Sequence, residues 1–200
     1  MKRIIKAFLT LLLISVVSTS SLAQTTDVDD LKNRVAEKVA LMNSYIKYMA
    51  DKTNNYKTRQ YYSKKALPLF IGKGYTYTLD GISHNGVMMQ TTSTNTNKIT
   101  SALMREYFRH LIDLRYEEVN ITSTSAADMK VSDLKKVAPN KYVCTCQFVQ
   151  YFYGYRDGVL VYKDRTTKRI ECLIEAEDTE DGREYIIQLG DVEALHTERI

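Results

Sequence analysis

Three histidines are where acid–base chemistry would be sought first, because imidazole titrates near neutrality. His110 is the best placed. Glu106, His110 and Asp113, at spacings of four and three, share one side of an apparent helix, and a carboxylate-polarised imidazole is the minimum equipment of a general base. That side is opposed to the stripe of Leu103, Tyr107 and Leu111, which directs the group toward water or the helix edge. His84, within Ser83-His84-Asn85-Gly86, and His196 near the end of the sequence read as solvated loop residues. There is no G-x-S-x-G nucleophile motif, and Cys144 and Cys146 have no base nearby in sequence. Gly72-Lys73-Gly74 is too short for a phosphate loop and opens a strand, not a helix. Glu117-Glu118, Glu175 with Glu177, and Asp178, Glu180 and Asp181 fall on strand exteriors or turns, so no carboxylate pair stands out. His110, Asp113 and Glu106 remain the weak catalytic candidates, and no cofactor is expected.

The cysteines carry the next chemistry. Cys144-Thr145-Cys146 places two thiols on one face of a strand, and a later strand puts Ile170, Cys172, Ile174 and Ala176 on its own inward face. If the two strands are antiparallel neighbours, Cys172 can face Cys144 or Cys146 and bridge to it. The alternative is three small buried hydrophobes with free thiols. An odd count leaves at least one thiol unpaired within the chain. A zinc site is not expected, since there is no C-x-x-C and no histidine lies near these cysteines in sequence.

Tyrosine is the distinctive residue, 15 of 200. Tyr151, Tyr153 and Tyr155 alternate along one face of a strand, opposite Phe148, Gln150 and Phe152, and would form an aromatic strip on the outside of the sheet. Such a strip suits an interface, because tyrosine buries much area with a polar tip, or it packs across strands on a half-wet surface. Gln150 is the converse, a polar residue in an apolar inward row. A buried amide needs partners, and with Tyr107 and Tyr185, also inward by pattern, it is the candidate lining of a ligand pocket.

Positioning these groups requires the following elements. Val28, Leu31, Val35, Val39, Met42, Ile46 and Met49 recur at spacings of three and four, an amphipathic helix with Thr26 or Asp27 as N-cap. Tyr56–Leu67 reads as a second helix stopped by Pro68. Residues 74–91 read as a hairpin, with turn signals at Asp80-Gly81 and Asn85-Gly86, followed by a Thr/Asn-rich loop over 91–98. Ile99–Leu114 reads as a third helix. From there the period becomes two: Tyr116–Thr122, Lys130–Val137, Tyr142–Tyr155, Thr167–Glu177 and Arg183–Leu195 are strands, with turns at Pro139-Asn140, Asp157-Gly158 and Asp181-Gly182. Helices first and an antiparallel meander afterwards make the class α+β.

This order of elements, together with the Val-Cys-Thr-Cys-Gln-Phe and Arg-Ile-Glu-Cys-Leu-Ile strands, resembles the nuclear-transport-factor-2-like family (SnoaL-like, within the cystatin-like folds) over roughly residues 27–195. No motif specific to that family is present. The resemblance implies a strongly curved sheet wrapping the helices into a cone, with a pocket at its open end. It also implies that a His or Asp in the cone can act as a base, and that dimers can pack through the outer sheet face. Enzymes, transport adaptors and ligand binders all use this fold, so it does not by itself choose a function.

Residues 1–23 have the three parts of an export signal: Lys2, Arg3 and Lys6, an apolar run Ala7–Val17, and Ser21-Leu22-Ala23, predicting cleavage before Gln24 and one domain over 24–200. The apolar run is short of the roughly 20 residues that span a bilayer, so no stable membrane insertion is expected after cleavage. The segment carries three of the 28 basic residues and none of the 24 acidic ones. Without it the charge is nearly balanced, and no basic cluster marks a nucleic-acid partner. The expected location is periplasmic or secreted. Three functions fit: an exported, non-enzymatic small-ligand-binding or interaction module; a cone-pocket enzyme of isomerase or hydro-lyase type; or a structural subunit of an envelope assembly.

Overall fold

A computed structural model describes residues 20–94, 98–180 and 182–200, with side chains from residue 28 onward. Of the expected export segment over 1–23, residues 1–19 lie outside the described residues and residues 20–23 fall in the first described helix. No described helix is long and apolar enough to cross a membrane.

Helix α1 (Ser20–Ala50) buries the expected stripe from Leu31 to Met49. Its start differs from expectation. Thr26 and Asp27 are inside the helix, not its cap, because neither proline nor glycine interrupts the run from Ser20 and a cap needs a non-helical backbone. Asn43 is the polar exception on the buried face, and neither of its amide atoms has a partner among the described residues. Asn55 caps α2 (Tyr56–Ala66) by accepting from the Thr58 N–H at 2.9 Å. Pro68 sits, as expected, in the 3₁₀ turn Leu67–Leu69 that ends it.

Strands β1 (Tyr77–Leu79) and β2 (Ile82–His84) make a separate hairpin about Asp80-Gly81, both with positive φ, the twist a two-residue turn requires. His84 is therefore a strand residue, stacked on Tyr77 at 4.8 Å, and not a solvated loop residue. The chain then leaves this hairpin. Strand β3 (Met88–Ser93) joins the main sheet and pairs with β4 (Lys98–Leu103), so the expected loop at 91–93 and the expected helix over Ile99–Leu103 are both strand. The spacing of Ile99 and Leu103 mimicked a helix, but Ile99 is 60% exposed, and the ladder is fastened by a 2.9 Å Thr91–Thr100 hydroxyl bond. The third helix, α3, starts only at Met104 and runs to Ile112. Its C-terminal carbonyl at Ile112 accepts from Lys52 (2.9 Å) and Arg59 (2.6 Å), which satisfies an end that has no further turn to bond to.

Strands β5 (Glu118–Ser123), β6 (Lys130–Val131) and β7 (Lys135–Ala138) pair in succession along one edge of β8 (Lys141–Arg156). Strands β9 (Val159–Thr179) and β10 (Gly182–Arg199) complete a sheet of order β4-β3-β10-β9-β8-β5. Both long strands extend the sequence-based boundaries, β9 by eight residues at its start. Bulges after Leu189 and Ala194 in β10 and at Gly154 in β8 add bend and twist to strands too long to stay flat. The helices lie in the concavity. The fold is thus the expected α+β cone.

Candidate functional site

The inward row of β9 reads Tyr162, Asp164, Thr166, Lys168, then Ile170, Cys172, Ile174. Around the last three, α1 closes the cone over a dry core that includes Cys144, Cys146, Phe148 and Leu189. Around the first four the cone stays open. A cavity of about 610 Å³ is walled by these residues, by Gln150 and Phe152 of β8, by Met89, Thr91 and Thr100 of β3 and β4, and by Tyr107, His110 and Leu111 of α3. Among the described residues, no side chain of α1 lines it.

Four buried polar side chains, Gln150, Asp164, Thr166 and Lys168, stand in this wall. Asp164 is 7% exposed and accepts a 2.6 Å bond from the Tyr162 hydroxyl, which in turn accepts from the Thr94 N–H and lies 3.3 Å from the Thr94 hydroxyl. Burial raises the Asp164 carboxyl above its ordinary range, and neither the Tyr162 bond nor the charge of Lys168 reverses this. Tyr162 is itself raised, by burial first and by Asp164 second, so it keeps its proton and donates it. Lys168 is 3% exposed, with Nζ 3.4 Å from the Met89 sulfur and 5.7 Å from the centre of the Tyr107 ring. Burial pushes its ammonium down to about 8, against the attraction of Asp164. The Tyr107 hydroxyl is pushed up by burial and by Asp164. Gln150 is buried with its Nε2 unpartnered among the described residues, leaving a donor for a ligand.

Of the residues singled out in sequence, Tyr107 and Gln150 line the cavity. Tyr185 does not. It sits opposite Ala176 at the far end of β10, against the Arg183 guanidinium, because the inward row there meets the helix-covered core. His110 reaches the cavity rim, exposed, while Glu106 and Asp113 do not line it, and no hydrogen bond or ion pair among the described residues ties either to His110. The spacing placed the three on one helix side, but that side only grazes the cone mouth. His196 is exposed on β10, 3.8 Å from Glu198. Tyr151, Tyr153 and Tyr155 are half-buried on the outer face, Tyr151 opposite Arg165 and Tyr153 opposite Lys163.

All three thiols are free and buried, with Cys144 directly across from Cys172 and Cys146 across from Ile170, so Cys144 is the neighbour a bridge from Cys172 would take. Burial pushes Cys146 up to about 12, and the contact with Cys144 and burial raise Cys172 well above the usual thiol range. Neither supplies a thiolate at neutrality. Among the described residues no group of three or more His, Cys, Asp or Glu side chains could hold a metal.

Asp164, Lys168 and Tyr162 are the site residues that sequence reasoning missed. The signal was present. Stepping back by twos from Ile170 gives Lys168, Thr166, Asp164 and Tyr162, but starting the strand at Thr167 left Asp164 and Tyr162 outside it, and the inward row was begun at Ile170 without Lys168.

No family model matches the chain, and no curated protein is similar to it. Among solved structures it is similar to a protein provisionally described as a scytalone dehydratase from Novosphingobium aromaticivorans, at 10% identity over 88% of this chain and 91% of that one, TM-score 0.40. It is similar as well to the Kfla4162 protein of Kribbella flavida, at 12% identity over 82% and 91%, TM-score 0.39. A third is a hexachlorocyclohexane dehydrochlorinase, LinA type 2, at 13% identity over 87% and 93%, TM-score 0.36. Likenesses this distant say nothing of what the cavity holds; by its own element order and bent sheet, the chain is an α+β cone.

Proposed function

We propose that the cone binds a small organic molecule and moves a proton within it, a reaction of isomerase or hydro-lyase type, with Asp164 carrying the proton and Tyr162 holding the carboxyl in place. The observation behind this reading is a carboxyl 7% exposed, raised by burial, facing a cavity large enough for a small molecule and held at 2.6 Å by a tyrosine hydroxyl. Burial, by disfavouring the charged form of this carboxyl, makes its carboxylate a stronger proton acceptor than a solvated one. Burying it beside an unpaired ammonium costs stability that an apolar lining would avoid, which favours a cavity that does chemistry over one that only binds. Apolar walls at Leu111, Ile121 and Phe152 suit a largely hydrocarbon ligand body.

The test is solvent deuterium exchange into an enolisable ketone, cyclohexanone, followed by NMR for wild type, Asp164→Asn and Tyr162→Phe. Wild type is expected to exchange the α-hydrogens, Asp164→Asn to lose about 100-fold or more, and Tyr162→Phe to lose less. Binding without exchange in wild type, or exchange that survives Asp164→Asn, overturns the proposal. The first of these outcomes would return the chain to a binding module.

A further inference from the structure

Proton transfer by Asp164 leaves Lys168 unused, although it is the most enclosed charged group of the cavity wall. Its Nζ meets only a thioether, Met89 Sδ at 3.4 Å, and the face of the Tyr107 ring. Among the described residues no carboxylate lies within ion-pair distance of it. A sulfur acceptor is weak, an aromatic face holds a cation loosely, and Asp164 attracts Lys168 without reaching an ion pair, which together do not offset its burial. The groups that face it are Asp164 from its own strand, Tyr107 from α3 and Met89 from β3. With its ammonium brought down to about 8, on the order of a tenth of the side chain is neutral amine at pH 7, far more than for a surface lysine. A desolvated amine on a cavity wall is a nucleophile for carbonyl carbon.

We propose that Lys168 captures an aldehyde or ketone as an imine in the cone. This deepens the reading of the cone as a small-molecule site by naming the class of ligand. The amine lone pair of Nζ attacks the carbonyl carbon. The C–N bond forms as the carbonyl π pair moves to oxygen, and a proton passes from nitrogen to that oxygen. Asp164, the carboxyl among the cavity-lining residues, protonates the resulting hydroxyl. Water departs, the C=N bond forms, and the nitrogen proton returns to the Asp164 carboxylate. The sum is amine plus carbonyl giving imine plus water, with no change of oxidation state. Leu111, Ile121 and Phe152 give the imine apolar walls on part of its surroundings.

The test uses the full chain, a short pulse of butanal with sodium cyanoborohydride at pH 7, and peptide mapping of the reduced adduct. Lys168 is expected to carry a butyl group at least about tenfold sooner than exposed lysines such as Lys57 and Lys136 of the same molecules, an estimate that discounts the larger amine fraction for restricted access. Because the comparison is internal to wild type, it does not depend on a variant that folds. Lys168→Met, checked for an intact melting transition, is expected to lose the fast adduct and keep the slow ones. Labelling of Lys168 no faster than the exposed lysines overturns the inference. So does a fast adduct that persists in Lys168→Met. If cyclohexanone exchange depends on Asp164 while Lys168 shows no preference, the imine is wrong and the proton transfer stands. Preferential labelling without exchange gives the reverse.

Discussion

Strand β9 presents two different interiors along one face. From Ile170 to Ile174 its inward side chains are aliphatic or thiol and belong to the same buried core as the α1 stripe, completely or nearly out of water. From Tyr162 to Lys168 the same face, continued without a break in register against β8, carries a carboxyl, a hydroxyl and an ammonium into an open cavity. The first stretch gains from burial at about 25 cal/mol per Å² of apolar surface. The second loses by desolving charge. What separates them is which helix lies overhead: the covering stripe of α1 packs one end of the cone shut, while α3 supplies one wall of the cavity at the other. Stability is concentrated at the closed end and chemistry at the open one.

Substitutions on either side of this boundary should move stability in opposite directions. Ile170→Ala, at the closed end, is expected to cost about 2–5 kcal/mol, read as a melting temperature lower by roughly 5–15 °C in calorimetry. Lys168→Met, one inward position away, is expected to raise stability at pH 7, by about 3 kcal/mol at most for a group displaced from 10.5 to about 8. The pH dependence has a definite sign. Because the folded lysine releases its proton near 8 and the unfolded one near its ordinary value, the unfolded state binds more protons in between. Wild-type stability therefore rises across that window, and the advantage of Lys168→Met narrows. Denaturant titrations of both proteins at pH 7 and pH 10 check it. An equal loss in Ile170→Ala and Lys168→Met would erase the distinction between the two ends.

Smaller changes refine where the boundary runs. A β-carbon at Gly154 would lie 2.7 Å from the ring of Tyr116, which lines the cavity, so the ring must move. Gly154→Ala is expected to cost about 1–2 kcal/mol and to weaken cyclohexanone binding, measured by calorimetric titration, without disturbing the α1-covered core. The outer face should respond least. Tyr151→Ser with Tyr153→Ser is expected to leave stability within about 0.5 kcal/mol per site and to shift sedimentation from dimer to monomer. A wild type that is already monomeric would reduce the strip to cross-strand packing.

The closed end was the legible one. The α1 stripe from Leu31 to Met49, the inward cysteines and the Asp-Gly turns follow from periodicity and backbone preference, which act locally and leave a plain record in sequence. Gln150 and Tyr107 could be placed on inward faces for the same reason. Asp164 and Lys168 were passed over, although alternation carries the inward face back to them, because Lys163-Asp164-Arg165 and Lys168-Arg169 put charge on both faces of β9 and blur the period. The open mouth of the cone is what lets charged groups stand on the inward face. Ile99 and Leu103 failed differently: their spacing suits a helix, and pairing with β3, a tertiary event, decided for a strand.

The wall of the cavity that bears Met89 and Thr91 is fastened by the end of the chain. Strand β3 runs parallel to β10 at Met89 and Val192, the Met88 N–H donates to the Asp191 carboxylate at 2.8 Å, and the Ala194 N–H donates to the Gln90 side chain at 3.3 Å. Each tie joins residues more than 100 positions apart. A ribosome delivers β3 long before its partner exists, so the helices and the β8–β9 ribbon can collapse early while the mouth of the cone must wait for β10. The mouth of the cone thus rests on ties of high sequence separation, and refolding followed through the environment of Tyr107 is expected to lag behind refolding followed through α1.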